Sequence, residues 1–230
     1  VARQTRAGAA QTRARVIEAA TEVFSERGLR AATLEDVAAR AGVTRGAVYG
    51  HFSGKPLLVA AIIDGLRWPL DVGEDLADYP SHPRPLRQLH VQLSAQMARC
   101  QQTPPQWQAV MLVLRESGYA AWPKASSDHA LHLQENAVAR LGDVMRLARQ
   151  RHQLRLDIEP DAAARCLHAV GIGILLGHAG KRVRGMRIDI PQCLRLFFEG
   201  IENTAEGPSD TPERHSRLAL DGARHRAPRA

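Results

Sequence analysis

Cysteine, aromatic residues and lysine are all scarce in this chain, and each scarcity narrows what it can be. The cysteines are Cys100, Cys166 and Cys193. They are odd in number, far apart and without a CxxC pair, so neither a disulfide framework nor a zinc ribbon fits, and the cytoplasm is the expected compartment. His90, His132, His168 and His178 have no pairing that suggests a metal, and no cofactor is expected. A nucleophile elbow, a phosphate loop and a metal-ligand motif are all missing, which argues against an enzyme. No N-terminal stretch joins a basic flank to an apolar run, and the longest apolar segment, Ala169 to Gly177, is too short to span a bilayer. A soluble protein that is not exported and has no membrane partner is therefore expected. Aromatic residues at 4%, with few Val and Ile, disfavour sheets, while plentiful Ala, Leu, Arg and Gln favour an all-α protein.

What is there is charge and helical pattern. Lys plus Arg exceed Asp plus Glu by 31 to 24, giving a net charge of +7 and a pI near 10.0, although Lys55, Lys124 and Lys181 are the only lysines. Such a balance attracts polyanions without identifying DNA by itself. At 230 residues the chain has room for one small DNA-reading unit and one larger helical domain.

Val16, Ile17, Ala20, Val23 and Phe24 recur at helical spacing and predict a first helix over 9–27, closed at Gly28. Thr33 precedes Leu34, Val37, Ala38 and Ala41, and Asp36 stands where it completes a capping box, so a short second helix should end at Gly42. Thr44 caps a third helix, with Val43 and Val48 placed as a hydrophobic staple. Two short helices joined by a Gly-containing turn and packed on a longer one form a helix-turn-helix. Ser53 then predicts a long connector helix reaching Leu76. Further helices are expected at 84–102, 105–118, 126–152, 160–181 and 189–204, followed by a disordered tail over 205–230.

At about 100° per residue, Ala47, Val48 and His51 share one side of the third helix, while Arg45, Gly46, Tyr49 and Gly50 share the other. The second side offers a guanidinium able to bridge guanine O6 and N7, a phenol able to reach phosphate, and glycines that allow close approach. Lys55 falls in the first turn of the fourth helix, where the dipole disfavours a cation unless an anion such as a DNA phosphate binds there. Thr33 could hold another phosphate.

These residues carry a resemblance. TLEDVAARAGVTRGAVYGHFSGKPLL, preceded by QTRARVIEAATEVFSERG, resembles the DNA-binding domain of the TetR family, particularly its AcrR-like branch, over residues 3 to 58. The resemblance implies an all-helical homodimer that represses transcription from a palindromic double-stranded operator and is released by a small-molecule inducer. It carries DNA-contact roles to Thr33, Thr44, Arg45, Gly46, Tyr49, His51 and Lys55. Gly50 departs from the branch, which often has a bulky aromatic residue there. Arg3, Arg6 and Arg13 form a basic arm suited to phosphate or minor-groove contacts.

The expected organisation is a DNA-binding domain over 1–55 and a helical ligand-binding and dimerisation domain over 56–204. The 160–181 helix is apolar nearly all round and should be buried on both sides, either as a monomer's central helix or in a four-helix seam with the final helix and a second subunit. That seam would use Cys166, Val170, Gly173, Leu176, Gly177, Leu194, Phe197, Phe198 and Ile201. Trp68, Met97, Trp107 and Met111, with Tyr119 and Trp122, fall in helices that would enclose a pocket, and such residues are either its lining or ordinary core. Glu116 is either the counter-charge for a cationic ligand or a solvated carboxylate. The function expected is control of a multidrug efflux operon by a small hydrophobic inducer, with cations among the candidates. The alternatives are a cysteine-based redox switch and a catabolic regulator responding to a metabolite.

Overall fold

The structure is a computed structural model that describes residues 6–73, 76–116, 122–179 and 188–203, leaving out the side chain of Glu116. The expected tail, Arg3, Tyr119 and Lys181 lie outside the described residues. Nine α-helices and one 3-10 turn make up the described chain: α1 Arg6–Ala31, α2 Leu34–Ala41, α3 Arg45–His51, α4 Lys55–Asp64, the turn Leu76–Asp78, α5 Pro85–Gln102, α6 Pro104–Glu116, α7 Lys124–Gln150, α8 Pro160–Ala179 and α9 Ile190–Ile201. An isolated bridge between Leu154 and Glu202 is the extent of β pairing among the described residues.

Local chemistry accounts for the first three helices. The break in α1 falls at Gly28, whose φ of 76° and ψ of 152° suit a residue without Cβ. Thr33 and Asp36 close the predicted capping box at the start of α2. Gly42, at φ 63°, ends α2 in the left-handed conformation, and the Val43 N–H returns to the Ala38 carbonyl. Thr44 caps α3 through the Ala47 N–H at 3.2 Å, an arrangement typically worth about 1 kcal/mol. Val48 is fully buried under α3, and α1 packs on both α2 and α6.

The predicted connector helix is corrected. α4 ends at Asp64, capped by Gly65, and Ser53 makes no cap because Gly54 occupies that position. After α4 the chain is irregular, with a turn over 68–71 closed by the Asp71 N–H on the Trp68 carbonyl at 3.0 Å, and Leu66, Trp68, Pro69, Leu70 and Val72 are buried while Arg67 is exposed and Asp71 half-buried. Gly65 and Pro69 are both poor residues for a helix interior and interrupt the one the connector would have needed. Leu70 seats against Gly171 of α8, where a Cβ would come within 2.6 Å of its methyl.

Within the single chain α8 is buried on one side only, which disfavours the reading of it as a monomer's central helix and leaves the seam with a second subunit open. Ala163, Ala164, Leu167, Gly171, Ile174 and Leu175 face the core against α7, whereas Ala162, Cys166, Ala169 and Gly173 are exposed or half-buried and Leu176 is 38% exposed. α8 is long and apolar enough to cross a membrane by length and mean hydropathy of 1.3, more so than the run from Ala169 suggests. In the fold its apolar surface is divided between the core and this outer strip. Of the expected seam residues, Leu194, Phe198 and Ile201 belong to the chain's own core. A Cβ on Gly177 would collide with Ile188 of the same chain. The outer strip is continued on α9 by Cys193 and Phe197, both partly buried, and by Leu196, which is 60% exposed.

Candidate functional site

On α3 the side chains divide as helical geometry requires. Val48 anchors the buried side, Phe52 closes the helix in the core, and Arg45, Gly46, Tyr49 and Gly50 are exposed, with Ala47 and His51 between. Tyr49, 43% exposed, is a large ring in water. Arg45 lies over it at 5.1 Å from the centroid and donates from Nη2 to its hydroxyl at 3.3 Å. The Nε edge of Arg45 meets Glu35 of α2 at 2.9 Å, leaving Nη1 turned to no acceptor among the described residues. No atom lies within 4 Å of a Cβ built on Gly50, so the departure at that position leaves open space on the reading face.

The scaffold behind this face is tied by charge. Arg15 of α1 donates to the Ala41 and Gly42 carbonyls at the end of α2, a role that sequence spacing does not reveal because the partners are neighbours in the fold and far apart in the chain. Arg40 of α2 pairs with Glu22 and Glu26 of α1, each at 2.7 Å. Arg27 meets Asp36 at 2.6 Å, and hydrogen bonds from the Thr33 side chain and then its backbone hold the Asp36 carboxyl below its ordinary pKa.

Two expectations about basic residues change. The Lys55 ammonium donates to the carbonyls of Leu29 and Ala32, both at 2.9 Å, and more weakly to Arg30. Its charge is thus matched by the unpaired carbonyls that end α1, and the dipole argument for a phosphate there falls away. Arg6 and Arg13 are part of α1 instead of a free arm, and Arg13 lies 5.2 Å from the Phe52 ring centroid.

A cavity of about 620 Å³ opens beside the segment after α4, walled by Leu66, Trp68, Pro69, Gln96, Cys100 and Leu133 and by the charged Arg67, Asp71, Arg99 and Arg140 among others. Of the expected pocket residues, Trp68 lines it. Met97 and Met111 are buried in the core, and Trp107 meets His178 edge to face at 5.7 Å; none of the three lines this cavity. No spacing in the sequence marks this cavity, whose walls come from α5, α6, α7 and the segment after α4. Asp71 fastens the wall by accepting from Arg140 Nη1 on both oxygens, at 2.8 and 2.6 Å, and from the Gly73 N–H. The Arg140 guanidinium lies close over Gly73, where a Cβ would make it shift. Cys100 is buried, and desolvation pushes its thiol up to about 11, the opposite of a reactive thiolate. Among the described residues no group of three His, Cys, Asp or Glu side chains could hold a metal ion.

Residues 16–62 match the profile of the bacterial regulatory proteins of the tetR family. The chain is 30% identical over 173 residues to the HTH-type transcriptional repressor BepR of Brucella suis biovar 1, a match covering 75% of this chain and 83% of that protein. It is 52% identical over 64 residues to the HTH-type transcriptional regulator TtgR of Pseudomonas putida, covering 28% of this chain and only 30% of that one. Among solved structures, SmeT in complex with triclosan is similar at a TM-score of 0.71 and 26% identity, over 90% of this chain and 100% of that one. SmeT is described as the repressor of the Stenotrophomonas maltophilia multidrug efflux pump SmeDEF.

Proposed function

Because this chain belongs to the TetR family of bacterial regulatory proteins, and is accordingly a DNA-binding regulator and not an enzyme, we propose that it represses a multidrug efflux operon. In this reading it binds a palindromic operator as a homodimer in the cytoplasm and is released by a small hydrophobic molecule. The observation that carries the reading is the reading face of α3, where a buried Val48 fixes the helix while Arg45, Gly46, Tyr49 and Gly50 stand in solvent. Arg45 reads a base edge from the major groove, and Thr33, Thr44, Tyr49 and His51 make the surrounding contacts that set register. Lys55 acts from behind, by holding the end of α1 against the start of α4.

A second copy supplies the other half-site. The outer strip of α8 and α9, from Cys166, Val170, Gly173 and Leu176 to Leu196 and Phe197, is an apolar surface that the chain leaves uncovered or half-covered. A two-fold axis through it would bury the strip against itself and hold two reading helices about 34–36 Å apart. Efflux control is supported by the 26% identity to SmeT, a repressor of a multidrug efflux pump. The redox alternative is disfavoured at Cys100, whose thiol is the wrong side of neutrality.

The test is a footprint on the DNA flanking its gene, followed by titration of pump substrates. Protection of an inverted repeat, lost on adding a substrate of an adjacent pump, is the expected result. Binding without sequence preference would overturn the reading.

A further inference from the structure

The side chains around the cavity are charged in a way that selects among ligands. Among its described lining residues Arg99 and Arg140 bring guanidinium groups, as does Arg67, which is engaged by an interaction of its own, against one carboxylate, Asp71. That carboxylate is committed: both of its oxygens accept from Arg140 Nη1. Arg140 is held in place by this clasp and by Gly73 beneath it, while its Nε and Nη2 have no acceptor among the described residues. Arg99 has no ion pair or hydrogen bond from its guanidinium among the described residues either. The wall's other acceptors are partly engaged, since Gln106 accepts the Arg67 N–H and donates to the Gly65 carbonyl. Gln96 brings a buried amide oxygen without a partner among the described residues, to which a hydroxyl on a ligand could donate. The same wall includes Trp68, Pro69 and Leu133, apolar and suited to a flat body.

We propose that this cavity takes an amphipathic organic anion, a flat apolar body bearing a carboxylate or phenolate, and not a cation. The proposal rests on the reading of the chain as a ligand-released regulator and names the chemical class of its ligand. A guanidinium fixed beforehand gives a carboxylate two parallel donors with little ordering left to do. A cation in the same space would face like charges across a partly desolvated cavity, where their repulsion is weakly screened. A cationic ligand finds no counter-charge among the described lining residues except Asp71, which Arg140 already engages.

Calorimetric titration of the full-length protein with three probes of one shape, naphthoate, naphthamide and naphthylmethylammonium, tests this near neutral pH. Naphthoate should bind about tenfold or more tighter than the ammonium probe, a difference within reach of one charged contact. The preference should fall severalfold in Arg99→Gln, which removes one of the two open guanidinium groups at an exposed residue and keeps the fold, as its melting temperature will show. Equal or tighter binding of the ammonium, no binding of any probe, or an unchanged preference in Arg99→Gln would overturn the proposal. Operator occupancy is followed in a separate titration. Charge-selective binding that leaves the operator occupied would retain the anion site and remove the release mechanism.

Discussion

The indole N–H of Trp68 donates to Nε2 of His168 across 3.3 Å, joining the wall of the cavity to the helix whose outer face carries the exposed apolar strip. Both rings are buried, and the acceptor role requires the neutral imidazole with its proton on Nδ1. Burial holds the His168 pKa below its ordinary value, since the charged form has lost its water. A ligand lying on Trp68 therefore acts on a residue already coupled to α8.

That coupling predicts a pH dependence. With the folded pKa below the unfolded value of about 6.5, the unfolded chain takes up the proton first as pH falls. Stability is full above that value and declines as pH drops from it toward the folded pKa. His90, stacked on Phe198 at 4.7 Å and also lowered by burial, adds in the same direction. His168→Gln, which keeps an acceptor and cannot titrate, should flatten the fall in melting temperature between neutral and mildly acid pH. An unchanged profile would assign the acid sensitivity to His90 or to the carboxylates.

Lys55→Ala removes an ammonium from the carbonyls of Leu29 and Ala32. The expected loss is about 1.5–3 kcal/mol, the range for hydrogen bonds to a charged group, read in urea denaturation. The dependence of operator affinity on salt should stay as in the unaltered protein. A slope reduced by about one would return Lys55 to the phosphate contacts.

Arg45→Ala should cost about 1–3 kcal/mol on the operator and relax preference at one base pair, while affinity for random DNA changes less. Glu35→Gln loosens the ion pair that holds the Nε edge of Arg45 and should leave protein stability almost unchanged, because an exposed pair contributes little. Titrations of operator and random duplexes at matched salt separate the two variants.

On α8 and α9, Gly173→Glu and Leu194→Glu should fail in different ways. Gly173 has open space around it, so a glutamate there is tolerated by the monomer and, buried unpaired at a two-fold contact, should dissociate the dimer. Leu194 is fully buried within the chain, so the same charge should unfold it. Light scattering with circular dichroism distinguishes a folded monomer from an unfolded chain, and a folded dimer of Gly173→Glu would remove the strip from the interface.

Residue order settles whatever closes within a turn or two of chain. Thr33 with Asp36, Gly42, and Thr44 with Ala47 each settle a helix end through partners at most four residues away, so the two short helices and the outward side of α3 could be read from residue order. The end of α4 was legible as well, since Gly65 and Pro69 are poor helix residues and the residue before a proline is pushed out of the helical region. What the irregular segment packs against was not, because the partner of Leu70 is Gly171, far along the chain. The carbonyl partners of Lys55 left no mark in residue order either, being 23 to 26 residues away. Only the tertiary structure decided which side of α9 faces inward, since Leu194, Phe197 and Phe198 are equally apolar and differ only in what stands opposite them. It also set the charge of the cavity, where Asp71 and Arg140 meet across 69 positions of chain, because an ion pair depends on distance in space and leaves no mark in residue order.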